Sequence, residues 1–198
     1  MLFRSLLALT LCLAGLASTA AAQNLAITNA RIIVRPGQTI ERGSIVVTNG
    51  RISSVGPGAP IGVPAGATTI DGNGMTVMAG FIDGHRHIMG GGRGANLSMW
   101  LKEQAPARMM ELLESGVTTV QSGGDDNAGI LELRQLSASG QMKAPRIVAS
   151  ARVPTASMKD AGEVRAAVQA AVKAGVESIA EVHYPDKVWQ YEIGRAHV

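Results

Sequence analysis

The sequence has one cysteine, Cys12, and it lies within the first 22 residues. Aromatic residues make up only 3% of the chain, and none of its Lys or Arg residues stand next to one another. Beyond residue 22 no apolar stretch approaches the roughly 18 residues that a membrane-spanning helix requires. If the first segment is removed, no thiol remains, which excludes disulfides and cysteine-ligated metals. Scattered cations with few aromatics to interleave argue against a nucleic-acid surface.

With 46% hydrophobic and 17% charged residues, the composition is that of a globular chain with a packed core. Residues 1–22 combine a basic start at Arg4, an apolar run from Leu6 to Leu16 and a small-residue end at Ala20-Ala21-Ala22. That pattern reads as a cleavable secretory signal peptide, so the protein is expected to be exported, periplasmic or secreted. A lipoprotein signal at Cys12 is the competing reading, but Leu11 is bulky where such a signal prefers a small residue.

The other end is also unusual. "IGRAHV", residues 193–198, can be encoded as ATC GGA AGA GCA CAC GTC, which matches the start of a widely used DNA-sequencing adapter. The adapter's first two bases would complete the preceding codon as xAG, which permits Glu, and residue 192 is Glu. Residues 192–198 are therefore expected to be translated adapter and carry no functional reading. Without Arg4 and Arg195, 16 basic residues stand against 15 acidic ones, so the apparent basicity comes from the ends.

From Leu25 to Met78, "LAITNARIIV", "GSIVVTNGRISSVG" and "TTIDGNGMTVM" alternate β-branched and polar residues, which predicts strands. Asn49-Gly50 predicts a two-residue hairpin turn, and the Pro/Gly-rich residues 56–66 predict a loop. After residue 80 helices alternate with short apolar strands, the pattern of parallel α/β architecture. Strands are expected at the run into "GFIDGH", at 117–120, at 146–150 and at 178–184. Helices are expected near 107–114, from a cap at Asn127 through Leu136, and over 160–175. In the last, Asp160 and Glu163 are placed as a capping box and Gly175 as the stop.

His85 and His87 stand at the end of the first of these α/β strands. Residues i and i+2 of a strand share a face, so both imidazoles are predicted side by side with Arg86 pointing away. A divalent metal such as zinc takes neutral imidazoles readily, and the C-terminal ends of barrel strands are where such sites are built. A hydrogen-bonded pair at a strand end is the other reading of the motif alone. The glycines at 90–92 are no phosphate loop, because no Gly-Lys-Ser/Thr follows.

The surroundings of this pair resemble the amidohydrolase superfamily. "NARIIV", "GSIVVTNGRISSVG" and "IDGNGMTVMAGFIDGHRH" look like its opening β-sandwich and first barrel strand, with Ala79 where relatives usually have proline. "LLESGVTTVQSGG" and "GQMKAPRIVAS" are similar to the next strands of the subgroup containing Xaa-Pro dipeptidases and imidazolonepropionases. The resemblance implies a (β/α)₈ barrel binding one or two divalent metals, with His85 and His87 as ligands from the first strand. It further implies a carboxylate from the fourth strand, often a carboxylated lysine, histidines from the fifth and sixth, and an aspartate from the eighth.

Two departures stand out. Gln121-Ser122 replace a frequent Arg-Asp, and Ala180 sits where the family's lysine is expected. In "SIAEVHY", Ala180 and Val182 suit the helix-facing side, which would turn Ile179, Glu181 and His183 inward. Glu181 then becomes a candidate metal-bridging and catalytic carboxylate, as in some members of the superfamily, and His183 a candidate substrate contact. A solvated or salt-bridged Glu–His pair is the alternative. Asp83 is expected to orient a neighbour, not to bind metal.

The expected organisation is a signal peptide at 1–22, a small β-sandwich segment at 23–78, and the first half of a metal-dependent hydrolase barrel at 79–191. A complete barrel takes about 250 residues, and roughly 110 make half of one. The expected activity is hydrolysis of amide or related C–N bonds in small-molecule or peptide-like substrates, with a divalent metal, zinc by preference, as cofactor. The 198 residues alone are expected to be inactive, because ligands are missing and sheet edges stand unpaired. The alternatives are a non-catalytic ligand- or metal-binding relative, or an inert fragment; histidines on strands five and six and an aspartate on strand eight would discriminate.

Overall fold

The computed structural model describes residues 23–89, 96–153 and 155–179. These described residues divide into two compact units, the first ending at Val77 and the second beginning at Met78. Among the described residues no helix is long and apolar enough to cross a membrane.

The first unit is a mixed sheet. Strands β1 (Leu25–Arg35), β2 (Gln38–Thr48) and β3 (Arg51–Pro57) run antiparallel in the order β3-β2-β1. β4 (Thr68–Asp71) and β5 (Thr76–Val77) both pair with β1 in parallel. The predicted turn between β2 and β3 forms: Asn49 has φ 53° and Gly50 φ 72°, the left-handed pair that a twist-matched two-residue hairpin needs. Its N-terminal side is tied down by the Asn49 N–H, which donates to Asn24 Oδ1 at 2.9 Å. Ala30, Ile32 and Ile45 form the buried cluster. The described residues of this unit form one sheet, and the second layer of a sandwich is not among them.

The second unit is α/β. β6 (Phe81–Arg86), β7 (Val117–Ser122) and β8 (Arg146–Val148) pair in parallel in that order. β9 (Ser150–Ala151) continues β8 after Ala149 and pairs in parallel with β10 (Ser178–Ile179). The strand predicted at 146–150 is thus interrupted. At the break, side chains replace ladder bonds: the Ala149 N–H donates to Glu177 Oε2 and the Ser150 N–H to Ser122 Oγ, each at 2.8 Å.

Four helices accompany these strands: α1 (Leu97–Glu103), α2 (Ala105–Glu114), α3 (Asn127–Ala138) and α4 (Ala161–Ala174). α1 was not anticipated. Asn96 caps it, accepting the Met99 N–H, and Pro106 in the first turn of α2 separates the two helices because it has no N–H to extend the first. The cap of α3 is Asp126, which accepts the Gly129 N–H at 2.8 Å, and not Asn127 as the sequence suggested. Asn127 Oδ1 instead accepts the backbone N–H of Arg152.

α4 begins as predicted at Asp160, whose Oδ1 accepts the Glu163 N–H, and ends at Gly175 with φ 97°. The reciprocal half of the box is displaced by one residue: Glu163 accepts the N–H of Lys159. Val120, Ile147 and Ala149 meet Met109, Leu112, Ile130 and Leu133 in the core between strands and helices. Val153 of the loop and Val164 and Val168 of α4 form a second cluster, and Ile179 packs against both.

Candidate metal centre

His85 is the penultimate residue of β6 and His87 follows the strand directly. Their ring centroids are 5.3 Å apart and the rings meet edge to face at 83°. Both are exposed in the described chain. The side-by-side placement expected from their spacing is therefore present, and the structure adds what they share. A Cβ placed on Gly123, just past β7, would stand 3.1 Å from His85 Nε2 and 3.2 Å from His87 Nε2. Both nitrogens thus approach one small cradle, and it stays open because residue 123 has no side chain.

Two imidazoles converging on a space that one methyl group would crowd fit a borderline divalent cation such as zinc. They fit as part of a ligand set: among the described residues no group of three or more His, Cys, Asp or Glu side chains comes together.

The surrounding main chain is fixed from several directions. Asp83 Oδ1 accepts the N–H of His85 at 3.2 Å, and its other oxygen lies 3.8 Å from the Arg86 guanidinium. The orienting part expected of Asp83 thus has a visible contact. The Gly123 N–H donates to the Arg86 carbonyl at 2.7 Å. Asp125, 7% exposed, accepts the N–H groups of Ile88 and Met89, one on each carboxylate oxygen and both at 3.0 Å.

Neither Gly123 nor Asp125 was picked out from the sequence. The available signal was the string "GGDDN" at a strand end, with two carboxylates in succession where one helix cap would have sufficed.

Gln121 and Ser122 take structural contacts on this wall. Gln121 Nε2 donates to Ser178 Oγ at 3.3 Å, Ser122 Oγ donates to the Ser150 carbonyl, and the Ser150 and Ser178 hydroxyls lie 2.6 Å apart. This row decides the facing of β10. Ser178 pairs with Ser150 and joins the hydroxyl row, whereas Ile179 pairs with Ala151 and packs against Val164 and Val168.

Ile179 therefore faces the helices, opposite to the side predicted for it. The parity on which Glu181 and His183 were turned inward loses its premise. Both residues themselves lie outside the described residues.

The Amidohydrolase family model matches residues 76–188. Among solved structures, the chain is similar to a candidate prolidase from Bifidobacterium longum, with 29% identity and a TM-score of 0.67, over 89% of this chain and 46% of that one. It also resembles a Xaa-Pro dipeptidase with methionine bound in its active site, at 24% identity and a TM-score of 0.67, over 79% of this chain and 46% of that one. Molinate hydrolase shares the fold at 18% identity and a TM-score of 0.68, over 89% of this chain and 52% of that one. The chain thus spans about half the length of these structures.

Proposed function

The chain belongs to the amidohydrolase family, and from that premise we propose that it is part of an exported, metal-dependent hydrolase of amide or related C–N bonds. Dipeptides ending in proline and cyclic amides are the leading substrates. The two prolidase-type structures among its neighbours support the first of these. In this reading residues 23–78 contribute to a small β-sandwich, and residues 79–191 form the first half of a (β/α)₈ barrel. The parallel pairing of β6 with β7, of β7 with β8 and of β9 with β10, with helices between the members of each pair, supports that architecture.

The observation that carries the reading is the convergence of His85 and His87 Nε2 over Gly123. When bound, a divalent cation such as zinc polarises a substrate carbonyl and brings the pKa of a coordinated water toward neutrality. The chain's own residues hold and orient: His85 and His87 supply two imidazoles, Asp83 fixes the His85 main chain, and Gly123 keeps the space in front of them clear. The remaining ligands are assigned to the rest of the protein. Glu181 and His183, in the sequence that follows β10, are the candidate metal and substrate contacts of this reading.

The test is metal content. In the full-length protein His85→Ala and His87→Ala are each expected to lose most bound zinc, read by elemental analysis after dialysis, together with hydrolysis of Xaa-Pro dipeptides. Zinc retained at the wild-type level in both variants would refute the metal centre.

A further inference from the structure

We infer that Asp125 is a positioning residue for the histidine pair, setting the place of His87 from the turn that follows β7. The inference rests on the metal-centre reading above. His87 stands one residue past the end of β6 at Arg86. Its main chain is bracketed on both sides by one short turn. On the N-terminal side the Gly123 N–H grips the Arg86 carbonyl at 2.7 Å. On the C-terminal side Asp125 receives the next two N–H groups, those of Ile88 and Met89.

That turn is itself anchored: Asp126 caps α3, and Ile130 and Leu133 of α3 are fully buried in the core. The histidine is therefore referenced to a packed helix across some 40 residues of chain.

The chemistry of residue 125 is specific to a carboxylate. Asp125 is buried, and among the described residues it has no cationic partner. A buried charge without a counter-ion is costly unless strong hydrogen bonds compensate it. Here two successive backbone N–H groups form the anion-accepting concavity that does so, one to each oxygen. Asparagine has the same shape but a single acceptor, so it would present its NH₂ to one of the two N–H groups. Its substitution releases one of the two bonds without leaving a cavity. A carboxylate kept at this cost, and bonded among the described residues to the two backbone N–H groups that follow a candidate ligand, acts on that ligand's position.

The experiment uses the full-length protein loaded with cobalt(II), whose visible absorption reports ligand geometry, alongside zinc affinity and thermal unfolding. Asp125→Asn is expected to weaken zinc binding about 10–100-fold, the usual effect of losing a group that orients a ligand, and to change the position or intensity of the cobalt bands. Asp160→Ala, which removes the cap of α4 away from the histidines, serves as the stability control and should leave both readouts at wild-type values.

If Asp125→Asn does no more than lower the unfolding temperature, as the control does, Asp125 has only a structural role and the inference is overturned. Should Asp125→Asn fail to fold, Asp125→Glu keeps two acceptor oxygens while displacing them by one methylene, and it is read in the same way. Failure of the metal centre itself has a different signature, since zinc would then survive His85→Ala and His87→Ala.

Discussion

The two units of the chain are specified by different physics. In the first, the buried apolar residues are Ala26, Ala30, Ile32, Ile45 and Val46, of which Ala30, Ile32 and Ile45 form one small cluster. What determines its structure is main-chain register, set by the Asn49-Gly50 turn and by a bulge in β1 where Asn29 takes φ 55°. Asn29 at that bulge donates to Asp71 and accepts from Arg42, so even the irregularity is tied across strands.

In the second unit, Met109, Val120, Ile130, Leu133, Val164 and Val168 are all fully buried. There, packing of helices on a parallel sheet fixes the strands, and their C-terminal ends are left free to carry chemistry. A ligand pair needs a rigid base, and the packed unit is where the histidines stand.

The sharpest way to break this contrast is to empty the packed core. Leu133 is completely buried on the inner face of α3. Leu133→Ala is expected to destabilise the second unit by about 2–5 kcal/mol, through lost transfer energy and a cavity that the neighbours only partly close. Urea unfolding followed by far-UV circular dichroism would measure it. A loss well below that range would mean that this unit, like the first, relies on its main chain more than on its side chains.

The same contrast explains what was legible in the sequence. Local signals translated directly: Asn49-Gly50 became the turn, and Asp160 with Gly175 bounded α4. The histidine spacing placed two rings together, because the period of a strand requires no tertiary partner. Signals that depend on distant partners did not translate. Asn127 and Asp126 are both good caps, and the choice was made by the backbone of Arg152, which engages Asn127.

The facing of β10 failed for a related reason. In the sequence, Ile179, Ala180 and Val182 are apolar at both parities, so alternation alone is ambiguous. The hydroxyls of Ser150 and Ser178 resolved it. Asp125 was hidden because its partners lie 36 and 37 residues away in the chain.

In the register-defined unit the corresponding probe is a methyl group, not a cavity. A Cβ at Gly43 would stand 2.6 Å from the Gly56 carbonyl oxygen, 2.8 Å from Ile40 Cγ2 and 3.0 Å from Ile32 Cδ1. One of these is backbone of the neighbouring strand, so β2 and β3 must move apart for the methyl to fit. Gly43→Ala is expected to cost about 1–3 kcal/mol by overpacking. Hydrogen exchange should show the loss concentrated in the amides of β2 and β3. Uniform loss of protection across both units would contradict the view that register in the first unit is set locally.

The smallest expected effect sharpens the comparison from the side of the packed unit. Asp160 Oδ1 satisfies one of the unpaired N–H groups at the start of α4, at 3.0 Å from the Glu163 nitrogen. Its removal in Asp160→Ala exposes that N–H to water and empties no buried volume, so the expected cost is about 1 kcal/mol. Val164 and Val168 would still hold the helix against its core. The loss should therefore appear as fraying of the first turn, seen as faster amide exchange at 161–164, with protection at Val168 and Ala171 close to wild type. Exchange that accelerates evenly along α4 would mean that the cap helps to place the whole helix, and that local signals govern the packed unit as strongly as they govern the sheet of the first.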